Sequence, residues 1–495
     1  METASTQNAQ PSPVPSLGSH ASGLLKRDLK NRHVQLIALG GAIGTGLFLG
    51  SAGVIGLAGP AIILGYVIGG FIEFLVMRQL GEMVVEEPVA GSFSHFAHKY
   101  WGNFAGFFSG WNYWMLYVCV SMVELTAVAK YVQWWVPGLP TWVTVLVFFV
   151  LINAINLANV RIFGEAEFWF AIIKVAAVIG LIVFGAFLLI SGHGGPGARV
   201  SNLWAHGGFF APAGAGGGWG TFTNFCVAIV LIMFSFGGLE LVGVSAAETA
   251  EPRRTIPKAI NQVFFRILIF YVGALAVMLM LQPWPDMVKA ISAAGSGHDA
   301  YGASPFVLIL KQLHIPFAAD ILNLVVLTAA LSVYNSSVYC NSRMLYGLAG
   351  KGSAPAVFKK ADRRGVPIYA LLLSALATGV VVFVNKFLPD RAFQALFSVV
   401  VAALVMNWFL ISFTHLKFRA AMRVANRELS FRAWGAPVTN WVCIVFVLGI
   451  LFVMYAWAPP ELHMRWSVYA IPVWVALLGM LYFFTHRKNT GVARR

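Results

Sequence analysis

Charged residues and cysteine are both scarce in this sequence. Asp, Glu, Lys and Arg make up 11% of its 495 residues, whereas an average soluble domain carries about a quarter. The four cysteines lie singly and far apart, and they form no CxxC pair. The low charge content excludes an ordinary soluble globular protein. The isolated cysteines predict neither a metal site nor a disulfide framework.

Enzyme signatures are missing as well. The sequence contains no GxSxG and no HExxH, the spacings typical of a serine nucleophile and of a zinc-binding helix. The stretch GTGLFL places Leu49 where a dinucleotide-binding GxGxxG loop has its third glycine. We therefore expect this protein to be no enzyme and to bind no cofactor and no metal.

Apolar sequence, by contrast, is abundant: 59% of the residues are hydrophobic and the mean hydropathy is +0.75. A helix that spans a membrane needs about 20 consecutive, mostly apolar residues. We predict twelve such spans: 33–57, 60–83, 104–130, 141–160, 167–191, 220–247, 260–282, 317–347, 369–387, 392–415, 437–457 and 466–485. The predicted fold class is therefore an all-α polytopic membrane protein.

The net charge of +15 could indicate a nucleic-acid partner, but its distribution indicates membrane orientation instead. If residues 1–32 are cytoplasmic and the spans alternate, 26 of the 34 Lys and Arg lie on the cytoplasmic side. This is the positive-inside bias of membrane proteins. It predicts that both termini are cytoplasmic, with 486–495 as a basic tail, and it predicts no nucleic-acid partner. The N-terminal stretch is rich in Ser, Pro and Ala, which predicts that 1–32 is a disordered tail. We infer no obligate protein partner.

Two glycine-containing motifs interrupt predicted spans. GGAIGTGLFLG, residues 40–50, lies in the first span, and FSFGGLE, residues 234–240, lies in the sixth. Taken alone, the glycines could permit close helix packing, and FSFGG could be a kink. Because the interruptions lie five spans apart, a second unit of five would cross the membrane in the opposite sense. This is the pattern of inverted repeats whose discontinuous helices form a substrate site.

Each predicted break suits one end of an α-amino acid. A break at Gly44, Thr45 and Gly46 exposes N–H groups and the positive dipole end of a half-helix, which suit a carboxylate. A break over Phe234–Gly238 frees carbonyls that can accept hydrogen bonds from an ammonium group. Together the two breaks predict a transporter of amino acids.

Four ionisable residues lie within the spans, where a charge costs at least about 2.5–3.5 kcal/mol. They are Glu73, Glu124, Lys174 and Glu240. For Lys174 and Glu240 we favour a functional role. Glu73 and Glu124 could each meet a buried partner or extend toward the headgroups, and for Glu73 we favour that structural role.

Four long motifs closely resemble the bacterial amino acid permeases of the amino acid–polyamine–organocation superfamily, among which the aromatic amino acid permeases are most similar. The motifs are LKNRHVQLIALGGAIGTGLFLG, MRQLGEMVVEEPVAGSFSHFAHKYWG, FSFGGLELVGVSAAETAEPRRTIPKAINQV and LSVYNSSVYCNSRMLYGLAGKGSAP. The resemblance implies the leucine-transporter fold, a 5+5 inverted repeat with broken helices 1 and 6. The repeats would cover 33–191 and 192–415, and helices 11 and 12 would lie in 416–485. It also implies proton-coupled uptake of phenylalanine, tyrosine and tryptophan across the bacterial cytoplasmic membrane.

The resemblance further implies roles for individual residues. The carboxylate-binding break of the family corresponds to Gly44, Thr45 and Gly46, and its amine-binding break to Phe234, Ser235, Phe236 and Gly237, with Phe236 as the aromatic lid. Lys174 matches a lysine that replaces the sodium ion of sodium-coupled relatives, and Glu240 matches a glutamate of coupling or gating. Glu124 joins these two as a candidate for proton coupling.

Two residues complete the predictions. Tyr117 follows Tyr113 by one helical turn in GWNYWMLYV, and with the resemblance this favours Tyr117 as a pocket residue that meets an indole N–H or a tyrosine hydroxyl. Glu73 departs from the family pattern, which leads us to expect an apolar or small residue there. An amino acid exchanger, a sensor, or a permease of different selectivity on the same fold remains the alternative. A channel would need a continuous polar lining instead of two clustered breaks.

Overall fold

The computed structural model describes residues 43–89, 91–158, 160–213, 216–244, 251–294, 304–313, 316–362, 364–389 and 391–492, and every regular element in these ranges is helical. Within these described ranges, ten helical stretches are long and apolar enough to span a membrane: Gly46–Glu86, Asn103–Gln133, Gly164–Ser191, Gly217–Val244, Pro252–Leu281, Phe317–Gly350, Ile368–Phe387, Ala392–Val424, Val438–Ala456 and Met464–Thr485. The apolar helix Thr141–Leu157 is shorter. The prediction of a polytopic helical membrane protein is confirmed. The predicted tail 1–32 and residues 33–42 of the first span lie outside the described residues.

The α-helices are numbered along the chain. They are α1 (Ser51–Ala58), α2 (Ile62–Glu86), α3 (Ser92–Tyr100), α4 (Asn103–Gln133), α5 (Thr141–Ala158), α6 (Val160–Ser191), α7 (Gly217–Met233), α8 (Leu241–Val244), α9 (Pro252–Arg266), α10 (Ala274–Leu281), α11 (Trp284–Ala294), α12 (Pro305–Gln312), α13 (Pro316–Gly350), α14 (Ile368–Phe387), α15 (Ala392–Val424), α16 (Val438–Ala456) and α17 (Met464–Val492). A π-helical turn, Gly46–Gly50, precedes α1, and another, Ile267–Gly273, joins α9 to α10. A 3₁₀ turn, Phe234–Phe236, follows α7.

Several helices extend beyond the predicted spans. The helix of the seventh span was expected to begin at residue 260, but α9 begins at Pro252, since proline is well suited to a first helical turn. The helix of the tenth span continues to Val424, beyond the predicted limit of 415. The last helix runs to Val492 and so includes most of the predicted tail 486–495.

The stretch Gly46–Glu86 is divided by a turn at Gly59. Gly59 has φ +57 and ψ −140, a backbone conformation that residues with a side chain rarely adopt. A Cβ at this position would also lie 3.2 Å from the Cβ of Ala211. The turn ends α1, and α2 begins three residues later.

The long helices α4, α13 and α15 form the centre of the molecule. Small residues bring α4 close to α13: a Cβ on Gly110 would lie 2.4 Å from Leu348. The stretch Gly217–Val244, which includes α7, is likewise 89% buried, whereas the last span is 6% buried. Exposed large apolar side chains of the outer helices therefore face lipid, and the interrupted sixth span lies inside.

A charged cluster at the end of α2 joins it to α3 and to the end of α13. The Glu87 carboxylate lies 3.0 Å from His95 Nε2 and 2.6 Å from Lys99 Nζ. Hydrogen bonds from these two residues lower the pKa of Glu87 to about 2. Lys351 Nζ is buried beside Gly91 and has no hydrogen-bond partner among the described residues. Burial lowers the pKa of Lys351 to about 7, although the field of Glu87 opposes the shift.

The shift at Lys351 predicts pH-dependent stability. Between pH 7 and the ordinary lysine pKa of 10.5 the unfolded chain binds more protons at this residue than the folded protein does, so stability rises with pH. We expect the free energy of unfolding, measured by thermal unfolding in detergent, to rise by about 1 kcal/mol per pH unit above pH 7, and we expect Lys351→Met to remove this rise. The exposed Lys359→Met is the control. Equal profiles for the wild type and Lys351→Met would contradict the burial of this amine.

Candidate functional site

The first described residues of the first span form a bend that leads into an irregular helix. Ile43 and Gly44 are not helical, and the chain then forms the π-helical turn Gly46–Gly50 before α1 begins. The N–H of Phe48 reaches the carbonyl of Gly44 over 3.4 Å. The predicted break at residues 44–46 therefore coincides with a change from a bend to irregular helix.

The sixth span is interrupted within FSFGG. After the 3₁₀ turn Phe234–Phe236, Gly237 is extended with φ −59 and ψ 131. Gly238 then has φ +115, which glycine adopts without a steric penalty. Helical structure resumes with α8 at Leu241. The interruption lies at the residues that the sequence predicted.

The two interruptions are in direct contact. A Cβ added to Gly46 would lie 2.6 Å from Ser235 Cα and 3.0 Å from Phe234 Cδ1. The Gly46 backbone therefore lies directly against the second break, and its lack of a side chain permits this approach. A Cβ on Gly44 would instead meet the Val333 side chain of α13 at 2.9 Å.

A cavity of about 30 Å³ lies at this contact. Its lining combines both breaks with side chains of α4, α8, α13 and α15: Gly44, Gly46, Leu116, Tyr117, Val120, Glu124, Phe234, Ser235, Gly237, Gly238, Leu241, Val333, Ser336, Val400 and Leu404. A single water requires about 10–15 Å³. In this conformation the site is therefore nearly closed, and an amino acid can enter only if lining side chains move.

The aromatic residues of the second break point in different directions. Phe234 lines the cavity and stacks on Phe397, with ring centroids 4.3 Å apart. Phe236, predicted to be the lid, is fully buried instead against Tyr66 and Tyr271, with centroids 5.8 and 5.6 Å away. In a 3₁₀ turn residues i and i+3 share a side, so Phe234 and Gly237 face the cavity while Phe236 faces α2.

Two tyrosines that the sequence reading missed hold the second break. The Tyr271 hydroxyl donates to the Ser235 carbonyl over 2.9 Å, and the Tyr66 and Ser235 hydroxyls lie 2.9 Å apart. Both tyrosines are buried. They fix the break from outside the cavity, and nothing in their local sequence distinguishes them from packing aromatics.

Glu124 belongs to the first break. Its Oε1 accepts a hydrogen bond of 2.7 Å from Thr45 Oγ1, and both residues are buried. Glu124 also lines the cavity. The structure thus favours the buried-partner alternative for Glu124 over extension toward the headgroups. The Thr45 hydroxyl, predicted to meet a carboxylate of the substrate, donates to a carboxylate of the protein in this conformation.

Lys174 lies behind this break in a polar cluster. Its Nζ donates to Ser332 Oγ over 2.9 Å, and that hydroxyl donates to Glu167 Oε1 over 2.6 Å. The fields of Glu167 and Glu124 both act on the amine. Lys174 and Glu167 are fully buried. The sequence reading missed Glu167, although its position seven residues before Lys174, on the same helical face, is a signal.

Glu240 and Glu73 lie beside the second break in different surroundings. Glu240 accepts hydrogen bonds from Trp408 Nε1 at 2.6 Å and from the Gly238 N–H at 3.0 Å. Glu73 is fully buried, and neither of its carboxyl oxygens has a hydrogen-bond partner among the described residues. Full burial of Glu73 contradicts extension toward the headgroups, because its face of α2 packs inward, and the buried-partner alternative stays a prediction.

Comparisons with known proteins place the chain among permeases. The amino acid permease family model matches residues 33–491. The aromatic amino acid transport protein AroP of Escherichia coli K12 is 58% identical over 94% of this chain and 97% of its own length. AroP of Salmonella typhimurium LT2 is 57% identical over 92% and 95%. An uncharacterized amino acid permease of Bacillus subtilis 168 is 39% identical over 95% and 97%.

The contact between the breaks predicts an order of severity for glycine substitutions. Gly46→Ala places a methyl group against the Ser235 backbone, whereas Gly44→Ala meets side chains, that of Val333 at 2.9 Å and that of Glu124 at 3.7 Å. We expect Gly46→Ala to lower uptake of labelled phenylalanine at least about tenfold, equivalent to about 1.4 kcal/mol. Gly46→Leu should abolish uptake, and Gly44→Ala should lower it less than Gly46→Ala does.

The matched control is Gly449→Ala in α16, where an added Cβ meets nothing within 4 Å. Uptake is measured per molecule of protein inserted in the membrane. Normal uptake by an inserted Gly46→Leu protein would contradict the assignment of the first break as a binding element.

Proposed function

The chain belongs to the amino acid permease family, and on that premise we propose that it imports aromatic amino acids across the bacterial cytoplasmic membrane by proton symport with alternating access. Family membership makes it a transporter and not an enzyme. The observation that carries the proposal is the backbone contact of Gly46 with Ser235 at a cavity lined by both breaks. The aromatic substrate class rests on the similarity to the AroP proteins.

The proposed architecture is a 5+5 inverted repeat followed by two helices, twelve spans in all, with both termini cytoplasmic. The turn at Gly59 supports it, because it separates two helices within Gly46–Glu86. The apolar helix Thr141–Leu157 supplies a further candidate span. Breaks in the first and sixth spans fit two oppositely oriented units of five.

In the proposed complex the first break binds the carboxylate and the second binds the ammonium group. The N–H groups next to Gly44 and Gly46 lie at the start of a helix, where an anion is favoured. Thr45 can turn its hydroxyl from Glu124 to the substrate, since a hydroxyl donor rotates to suit its acceptor. Carbonyls of the Phe234–Gly238 break accept from the ammonium group.

Tyr117 supports an aromatic side-chain pocket. It is 3% exposed and lines the cavity from α4, with its ring centroid 4.7 Å from that of Tyr113. Phe234 supplies a second ring at the cavity wall. Aromatic pairs contribute about 0.5–1.5 kcal/mol beyond area burial, so two rings favour an aromatic substrate over an aliphatic one of similar size.

The Tyr117 hydroxyl should distinguish among aromatic substrates. If it bonds an indole N–H or a tyrosine hydroxyl, Tyr117→Phe removes about 0.5–1.5 kcal/mol for tryptophan and tyrosine only. Competition against labelled phenylalanine uptake measures this difference as a few-fold to tenfold loss for the two polar substrates. An equal loss for all three would place the hydroxyl outside the pocket.

Lys174 is the proposed proton-coupling residue, with Glu124 and Glu240 as further candidates. Burial disfavours its ammonium form, whereas Glu167, Ser332 and Glu124 favour it. A lysine so balanced can release and regain a proton as the site opens to either side. Transport coupled in this way needs no bound cofactor, because the proton gradient is the driving force.

Coupling through Lys174 predicts proton dependence and sodium independence. In proteoliposomes, phenylalanine accumulation should require an inward proton gradient and be unchanged when sodium is replaced by choline. Lys174→Met should lose accumulation but keep counterflow of labelled against unlabelled phenylalanine, which needs no net proton movement. Ser332→Ala, which removes one hydrogen bond to the amine, should reduce accumulation only in part.

Three results distinguish the alternatives. Loss of both accumulation and counterflow in an inserted Lys174→Met protein would make the lysine structural. Flux by the wild type only with substrate on both sides would identify an exchanger. Sodium-dependent accumulation that persists with a protonophore at fixed membrane potential would contradict proton coupling.

A further inference from the structure

Glu73 is a buried carboxyl group that the proposed transport step does not use. It lies in α2 with no exposed surface, and neither carboxyl oxygen has a hydrogen-bond partner among the described residues. An ionised carboxylate in such a position loses its hydration without compensation, so its neutral acid form is strongly favoured. A buried neutral acid carries a proton that it can give up if its surroundings change.

Glu73 faces the second break. Gly69 and Gly70 precede it by one helical turn and share its face. A Cβ on Gly69 would lie 2.8 Å from the Phe236 ring, and one on Gly70 would lie 2.6 Å from Ile267. This glycine face brings α2 against the break, and the next turn places the carboxyl group of Glu73 within the field of Glu240.

The two carboxyl groups have opposite surroundings. Both are fully buried, which disfavours the ionised form of each, but Glu240 accepts N–H hydrogen bonds from Trp408 and Gly238, which favour ionisation of Glu240 over that of Glu73. Glu73 accepts none. Where two neighbouring carboxyl groups differ in this way, the unbonded one holds the proton and the bonded one holds the charge.

Other titratable groups around Glu73 do not neutralise it. Those whose fields interact with it are hydroxyls and a thiol from three other elements: Tyr117 of α4, Tyr271 of the π-helical turn and Cys443 of α16. Further along α2, Arg78 donates to Asn261 and Glu82 accepts from Arg419. His415 of α15 also lies next to Glu82, at 3.3 Å. Arg78 and Glu82 are thus engaged with other partners, and Glu240 is the acidic group whose field acts on Glu73.

We propose that Glu73 is a proton-holding residue of the second break: it stays a neutral acid beside ionised Glu240, and loss of its proton to solvent prevents the break from closing around the substrate. Loss of the proton leaves a second negative charge within the field of Glu240 at a buried site, and their repulsion separates α2 from the break. The effect on transport rests on the proposed function, whereas the protonation state of Glu73 does not.

The protonation state is tested directly by infrared spectroscopy of the purified protein. At pH 7 we expect Glu73→Gln to lose one carboxylic-acid C=O band that the wild type shows. The exposed Glu461→Gln is the matched control and should lose none. No loss of an acid band in Glu73→Gln would mean that Glu73 is ionised, which overturns the proposal whatever the protein transports. If Glu73→Gln does not fold, pH titration of the wild-type bands replaces it: absence of an acid band at pH 7 overturns the proposal.

The consequence for transport is tested by counterflow of labelled phenylalanine at equal pH on both sides, which removes the gradient as a variable. We expect the rate of wild-type counterflow to decrease at alkaline pH. In Glu73→Gln the decrease should occur at least one pH unit higher, because glutamine cannot ionise. Identical alkaline limbs, or no counterflow by folded Glu73→Gln at any pH, would overturn the role of Glu73. If the wild type shows no counterflow but its infrared spectrum still has an acid band assigned to Glu73, only the proposed function is overturned.

Discussion

The close approach of Gly46 to the backbone of Ser235 is the constraint on which the site depends. Only a residue without a side chain allows two interrupted helices to meet at this distance. The contact places the start of an irregular helix opposite an extended segment, so residues of both breaks line one cavity. Irregular backbone is tolerated at membrane depth where protein or a polar cavity surrounds it, and here the tyrosines Tyr66 and Tyr271 secure one side of it.

Buried ionisable groups follow from the same arrangement. Glu124 bonds Thr45 at the first break, and Glu240 bonds Gly238 at the second. Each break is thus hydrogen-bonded to a carboxyl group, and the electric field of the Glu124 carboxyl group acts on Lys174. Since a charge inside a membrane protein is costly unless it is paired, a change in protonation at either place alters the stability of a break. This is the physical link that we propose between proton movement and access to the site.

The sequence alone predicted the class of fold and both interruptions, because apolar length and clustered glycines are local signals. It also placed Tyr117, Glu124 and four residues of FSFGG, which the structure brings to one cavity: Phe234, Ser235, Gly237 and Gly238. The side on which Phe236 lies was not predictable, since it depends on whether the turn after α7 is α-helical or 3₁₀. Ser332 was missed because its importance arises from a contact between α6 and α13, 165 positions from Glu167, whereas the spacing of Glu167 from Lys174 was a local signal. The environment of Glu73 likewise depends on which element covers its face of α2.

The central claim is that the first break binds a carboxylate and the second an ammonium group. Binding of labelled phenylalanine to the purified protein, competed by phenethylamine and by 3-phenylpropionate, tests it most directly, because each competitor keeps the ring and lacks one of the two charged groups. We expect that neither compound competes at concentrations where unlabelled phenylalanine does. Competition by either compound at a concentration comparable to that of phenylalanine would contradict it.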